Sequence, residues 1–392
     1  MKYWRGYIVA AIFAVLSLGL AQFAASHPGL VDLVYPYTTR LIITALAEWT
    51  AGAAFCLWQL IVVVLVTGLL ASLVVTIILR WNLIQWAGWV LTCCSFLWLA
   101  HTGLYGLNTY AGSISSDIRL EEVEYNVTDL VEATDYYMQI ASQLATEVPR
   151  DEAGNPQYPS FQEQAVKAAD GFNILAYDRY YAVFAGSTLP VKELGWADMY
   201  SSMGITGVTM PLTGEAAVNP QTPVVALPFV MCHEMCHRMC ISVEMDANMG
   251  AFLACDANPD VTFRYSGYFM AFRYCYNALL STGTSTSKLA ASQLYAKAGD
   301  LLKYDMKQYN DFFAEKRNET ASQVANTAND TYIKVSGDEE GVKSYSKVTD
   351  LLVSWYVQEI YLPAHKEEVV PFDPTDKNQV DLRENVTVGG AK

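Results

Sequence analysis

From Leu57 to Leu79 the chain runs without a single charged side chain, and no other feature limits its fold so strongly. An α-helix rises about 1.5 Å per residue, so roughly twenty apolar residues match the hydrocarbon thickness of a bilayer. Two further stretches approach that length, Tyr7 to Ala25 and Trp81 to His101. The expectation is three transmembrane helices within residues 1–104. The first is read as a retained anchor rather than a signal peptide, because it holds Gln22, lacks a clear small-x-small cleavage signal and is followed by further spans. Between the first two spans, Leu41 to Ala47 is apolar but too short to cross, which suits a segment lying at the membrane interface. Lys2 and Arg5 precede the first span and Arg80 separates the second from the third. Basic residues mark the cytoplasmic side, so residues 26–56 and everything after about 104 are expected outside the cytoplasm.

The remainder is long enough for one sizeable domain, expected over residues 105–362. The first 104 residues hold four of the 25 basic residues and two of the 40 acidic ones, leaving 21 basic and 38 acidic beyond them. That acidic balance makes nucleic acid a poor partner. Apolar positions recur at helical spacing over Asp117 to Thr146, Phe161 to Ala176, Phe263 to Leu280 and Lys288 to Thr320. Two more helices are expected within 321–362, around Gly337 to Gly341. Gly186 to Pro223 is rich in Gly, Pro, Ser and Thr and reads as loops with one or two short strands, whose exposed edge would suit an extended peptide. The tail, residues 363–392, has alternating charges and reads as loosely ordered.

Within this mainly α chain, Cys232-His233-Glu234-Met235-Cys236-His237 spells His-Glu-x-x-His. On a helix, positions i and i+4 share a face, so both imidazoles can converge on one Zn²⁺ at about 2.0–2.1 Å. Glu234 projects from the next position and is placed to take a proton from water attacking a peptide carbonyl. Pro228 suits the first turn of such a helix, and Phe229 to Cys232 supply an apolar side. Cys232, Cys236 and Cys240 recur every four residues; a single helical stripe offers no converging zinc pairs and reads as apolar packing.

A catalytic zinc usually takes a third protein ligand and keeps a fourth position open. His365 is the remaining histidine of the later chain and sits in a Pro- and Glu-rich segment, so acidic residues come first. Glu244 lies seven residues past His237, too far along an unbroken helix, and requires a turn at Ile241-Ser242-Val243. Ser242 is the expected cap of a second helix running to about Cys255, with Glu244 in its first turn. Asp246, on a neighbouring face, is the competing ligand.

Several segments resemble a bacterial membrane-protein family, domain-of-unknown-function family 3810. They are Tyr105 to Tyr110, Ser201 to Ile205, Pro211 to Ala216, the His-Glu-x-x-His helix, Glu244 to Asn248, Arg264 to Tyr268, Tyr332 to Lys334 and Gly341 to Tyr345. Glu244-x-x-Ala247-Asn248 also resembles the Glu-x-x-Ala-Asp segment of membrane gluzincins, with Asn248 standing where those families usually carry Asp. The resemblance implies three N-terminal membrane helices, a largely helical, gluzincin-like zincin domain, and Glu244 as third zinc ligand. It also implies a bacterial cell-membrane location. Arg264, Tyr265 and Tyr268 are candidate catalytic groups for stabilising an oxyanion, and Glu215 is a candidate substrate or supporting contact. The resulting expectation is a membrane-anchored zinc metalloendopeptidase acting on an extracytoplasmic protein or peptide. The alternative is a non-catalytic zinc-binding membrane sensor or scaffold.

Overall fold

The structure, a computed structural model, describes residues 4–335 and 344–365 and is mainly helical. Four N-terminal helices are long and apolar enough to cross a membrane: α1 (Arg5–Ser26), α2 (Pro28–Thr50), α3 (Leu57–Ile78) and α4 (Leu83–Leu104). They support a multi-pass membrane location. The number is one more than expected, because Leu41 to Ala47 belongs to a 23-residue helix rather than to an isolated short stretch. Asp32, Pro36, Arg40 and Glu48 interrupt its apolar course and hide it from a hydropathy reading.

α1 and α4 run parallel in close contact. The Thr92 hydroxyl donates to the Gly6 carbonyl at 2.7 Å, and farther along Ser17 donates to Thr102 at 3.2 Å. A Cβ on Gly6 would lie 2.5 Å from the Gly88 carbonyl carbon, so glycine is what lets these backbones meet. α3 and α4 form an antiparallel hairpin whose turn passes through Arg80 at φ 54°, and Trp86 Nε1 donates across it to Ser72.

After Leu104 come α5 (Ile114–Asp117), α6 (Val127–Glu147), α7 (Phe161–Asn173), α8 (Ala197–Met203), α9 (Leu227–Arg238), α10 (Glu244–Ala257) and α11 (Val261–Ser281). α12 (Ser285–Lys297), α13 (Asp300–Lys316), α14 (Glu319–Val335), α15 (Ser344–Trp355) and the short α16 (Leu362–Ala364) complete the series. Residues 321–362 thus carry the expected helices, while Gly337 to Gly341 and the tail from residue 366 lie outside the described residues. α6 begins only at Val127, where Asn126 and Asp129 form a reciprocal capping box; Ser160 and Glu163 do the same for α7. The stretch from Lys288 to Thr320, read as helical, is broken at Arg317-Asn318 before α14 and, between α12 and α13, at Ala298-Gly299. The backbone N–H of Gly299 donates there to Ser142 of α6, which substitutes for the lost helical bond.

α9, α10, α11, α6, α7 and α15 enclose the core, in which Tyr137, Phe252, Tyr268 and Trp355 pack ring against ring. The Tyr137 hydroxyl is satisfied by the Leu352 carbonyl at 2.7 Å. Gly171 lets α7 cross close to α10, since a Cβ there would stand 1.9 Å from the Ala254 carbonyl oxygen. The loop-rich segment carries three short strands, β1 (Lys192–Glu193), β2 (Gly207–Met210) and β3 (Glu215–Val218), in the order β1-β3-β2. β2 and β3 pair antiparallel around Gly214, at φ 68°, and β2 is an edge strand.

Candidate metal centre

α9 opens with Leu227-Pro228, where proline costs no helical hydrogen bond, and it buries ten of its twelve residues between α10, α11, α7 and the small sheet. Cys232 and Cys236 are buried free cysteines on its inner side, and a Cβ on Gly250 would stand 2.7 Å from Cys236 Sγ. The stripe is therefore a packing surface, as its spacing suggests. Just past the end of α9, Cys240 takes a left-handed conformation at φ 71°, while the Ile241 N–H returns to the Cys236 carbonyl at 3.1 Å. That reversal brings the start of α10 back to the histidine face. It is the turn expected before Glu244, but Ser242 does not cap the next helix. The cap position is Val243, without a side-chain bond, and Ser242 Oγ lies 3.4 Å from Thr109 Oγ1.

His233 Nε2 and His237 Nε2 stand 3.1 Å apart, and Glu244 Oε2 lies 3.3 Å from the first and 3.6 Å from the second. Ligands of a tetrahedral ion at 2.0–2.1 Å are separated by about 3.3 Å, so this triangle has the edge lengths a zinc site needs. Glu244 Oε2 is buried with no protein hydrogen-bond donor, which is the condition of an oxygen directed at an ion. Among the described residues, no other group of three His, Cys, Asp or Glu side chains converges in this way.

The supporting contacts have the sense that metal ligation requires. His237 Nδ1 lies 2.8 Å from the Ile241 carbonyl, an acceptor only, so this nitrogen carries the proton and Nε2 presents its lone pair. The Tyr105 hydroxyl stands 3.4 Å from the same Nδ1, bringing the residue after α4 against a candidate ligand. Burial would lower the His237 pKa, but Glu244, Glu234 and the Ile241 carbonyl outweigh it and raise the value to about 9, so a metal bound at Nε2 would displace the proton from that nitrogen. Burial likewise acts to raise the Glu244 pKa, and the two imidazoles reverse this and hold its carboxyl far below the usual range.

Glu234 points into the same space but is not part of the triangle. The Thr209 hydroxyl of β2 donates to its Oε2 at 2.7 Å, and a Cβ on Gly207 would stand 2.3 Å from its Oε1. Burial raises the Glu234 pKa, with His233, His237 and Thr209 opposing it only in part, which favours a carboxylate ready to accept a proton. A cavity of about 530 Å³ opens over these groups, bounded by β2 on one side and by Met270 and Tyr274 of α11 on another.

The other expected residues lie elsewhere. Asp246, the competing ligand, accepts from Ser113 at 2.9 Å and borders a separate small cavity beside Arg40. Tyr265 donates to the buried Asp305, which Arg150 also clamps, and Tyr268 donates to Asp256 at 2.8 Å with Arg264 nearby. None of Arg264, Tyr265 and Tyr268 lines the cavity; the face of α11 that does so begins at Met270, a position helical periodicity cannot single out. Glu215 accepts from the backbone N–H groups of Leu57 and Trp58, both at 2.8 Å, and pairs with Lys192, so it caps a membrane helix instead of meeting a substrate. Asn248 lines the cavity and accepts from Tyr274 at 3.1 Å. His365 stacks on Tyr361. Gly207 and Thr209 lie more than 20 residues before the motif and carry no pattern that points to it, whereas Tyr105 sits in a segment that resembles the family.

No curated protein and no solved structure matches the chain. The model of the family described as a protein of unknown function (DUF3810) matches residues 32–353, and the chain belongs to that family.

Proposed function

We propose that this protein is a membrane-anchored zinc metalloendopeptidase, with residues 105–362 as its catalytic domain on the extracytoplasmic side of a bacterial cell membrane. The observation that carries this reading is the triangle of His233, His237 and Glu244 with Glu234 held beside it by Thr209. Zinc held by those three atoms would polarise the scissile carbonyl and make water nucleophilic near neutral pH. Glu234 takes the proton of the attacking water and delivers it to the departing amine nitrogen, so the proton balance closes within one side chain. The free edge of β2 supports an extended peptide pairing along the cavity wall, with its carbonyl carried toward the metal centre. Arg5 and Arg80 fall at the end of α1, α3 and α4 away from the catalytic domain, which supports the extracytoplasmic side.

The decisive experiment measures bound zinc and peptide-library cleavage for the full chain and for Glu234→Gln. The amide keeps the shape of the carboxylate but accepts no proton at neutral pH, so zinc content stays near one per chain while cleavage falls by about 10²–10⁴-fold. Equal rates at equal zinc content would remove Glu234 from its role. A zinc-loaded wild type that cleaves nothing across a broad library would leave the non-catalytic sensor or scaffold instead.

A further inference from the structure

We infer that α2 does not cross the membrane but lies along its surface, wedged between the bilayer and the catalytic domain, with its outward apolar face in contact with lipid. The inference is independent of the peptidase reading, and it begins from where the neighbouring helices end. α1 and α4 are parallel, and their C-terminal ends meet the later chain together, where Ala24, Val31 and Leu107 form one cluster. α3 is antiparallel to α4, so its N-terminal end is at that same level; there Gln59 bonds the backbone of Gly195 and Glu215 caps Leu57 and Trp58. α2 joins the end of α1 to the start of α3. It therefore starts and finishes on the same side of the bilayer.

The contacts of α2 agree along its whole length. Asp32 near its start accepts from the Gly112 N–H at 3.0 Å, and Thr50 at its end lies 3.2 Å from the Thr213 carbonyl. Between them Arg40 donates to the carbonyls of Met239 and Ala182 at 3.0 and 2.8 Å, and the α2 backbone at Ile43 and Ala47 is met by Gly214. A helix of 23 residues is about 35 Å long, so a crossing α2 would carry Asp32 and Thr50 to opposite faces. One water-facing domain could not then hold both. The opposite side of α2 is apolar and open, with Leu33 71%, Leu41 73% and Trp49 73% exposed. An amphipathic helix with one face on protein and the other apolar, flanked by spans at both ends, has the headgroup–acyl boundary as its occupant. Because Arg40 and Thr39 touch Met239 and Cys240 directly after the zinc helix, the metal centre stands roughly one helix diameter, about 10 Å, above the lipid.

The test uses the full chain in its membrane. Reporters fused to the N-terminus and to the C-terminus should fall on opposite faces, as three crossings require; reporters on one face would show a fourth crossing and overturn the inference. A fluorescent amino acid placed at Leu41, with Leu65 in the middle of α3 as reference, then reads depth in vesicles. Lipids brominated near the headgroup should quench position 41 most strongly, and lipids brominated near the chain end position 65. Deepest quenching at 41, or none by either lipid, would reject lipid at the surface of α2.

Discussion

α3 and α9 are both rich in apolar residues, yet they are held in opposite ways. α3 buries only Trp58, Gln59 and Thr76 and leaves side chains such as Leu65, Leu70 and Ile78 exposed along its length. α9 leaves almost nothing exposed, and most of its polar side chains meet specific partners: Glu234 meets Thr209, His237 meets the Ile241 carbonyl, and Arg238 meets the carbonyls of Ser187 and Leu189. Lipid accepts any apolar contour, whereas a close-packed interior accepts one. The metal and proton acceptor proposed for α9 would need the second kind of surroundings to stay at fixed positions, whereas an anchor needs only the first.

The largest effect that would sharpen this contrast comes from His237→Ala. Zinc measured on the purified protein should fall from about one per chain to background, and the melting temperature should drop because metal binding is coupled to folding. Retention of zinc by this variant would break the assignment of α9. Next comes Phe252→Ala in the buried aromatic cluster, which should cost about 3–5 kcal/mol in a denaturant melt. Leu65→Ala, on the exposed surface of α3, should cost less than about 1 kcal/mol in the same detergent. Comparable losses would show that α3 packs against protein.

Gly207→Ala should lower cleavage by up to about 100-fold at unchanged zinc content, because the new methyl displaces the Glu234 carboxylate from its working position. An unaltered rate would mean that β2 gives way freely. The smallest pair sets glycine against glycine. Gly171→Ala drives a methyl into the Ala254 carbonyl and should destabilise by about 1–3 kcal/mol. Gly68→Ala, with nothing within 4 Å of its would-be Cβ, should stay within about 0.5 kcal/mol of wild type. Thermal melts of both variants side by side decide it.

Much of the candidate metal centre was legible because its geometry is local. His233 and His237 share a face by helical repeat, and Glu244 follows after a short turn. The mechanism of that turn was not legible: it depends on Cys240 in a left-handed conformation, with Ser242 taking no part in the cap. Arg264, Tyr265 and Tyr268 belong to the helix that borders the cavity, but Met270 and Tyr274 are the residues it presents there, since periodicity says which residues share a side and nothing about what that side meets. Only Leu41 to Ala47 of α2 was legible, as an interfacial stretch; its full length was not, because Arg40 looks incompatible with an apolar helix until its partners, 142 and 199 residues away, are seen.

The sequence by itself determined that three segments are apolar enough to enter a bilayer and that one helix carries two imidazoles a turn apart, because solvent preference and helical repeat act over neighbouring residues. The tertiary structure alone decided between Glu244 and Asp246 for the triangle, which strand steadies Glu234 and which distant carbonyls receive Arg40. Those outcomes depend on contacts between segments far apart in the chain, and such contacts are fixed only when the competing burial of all of them is satisfied at once.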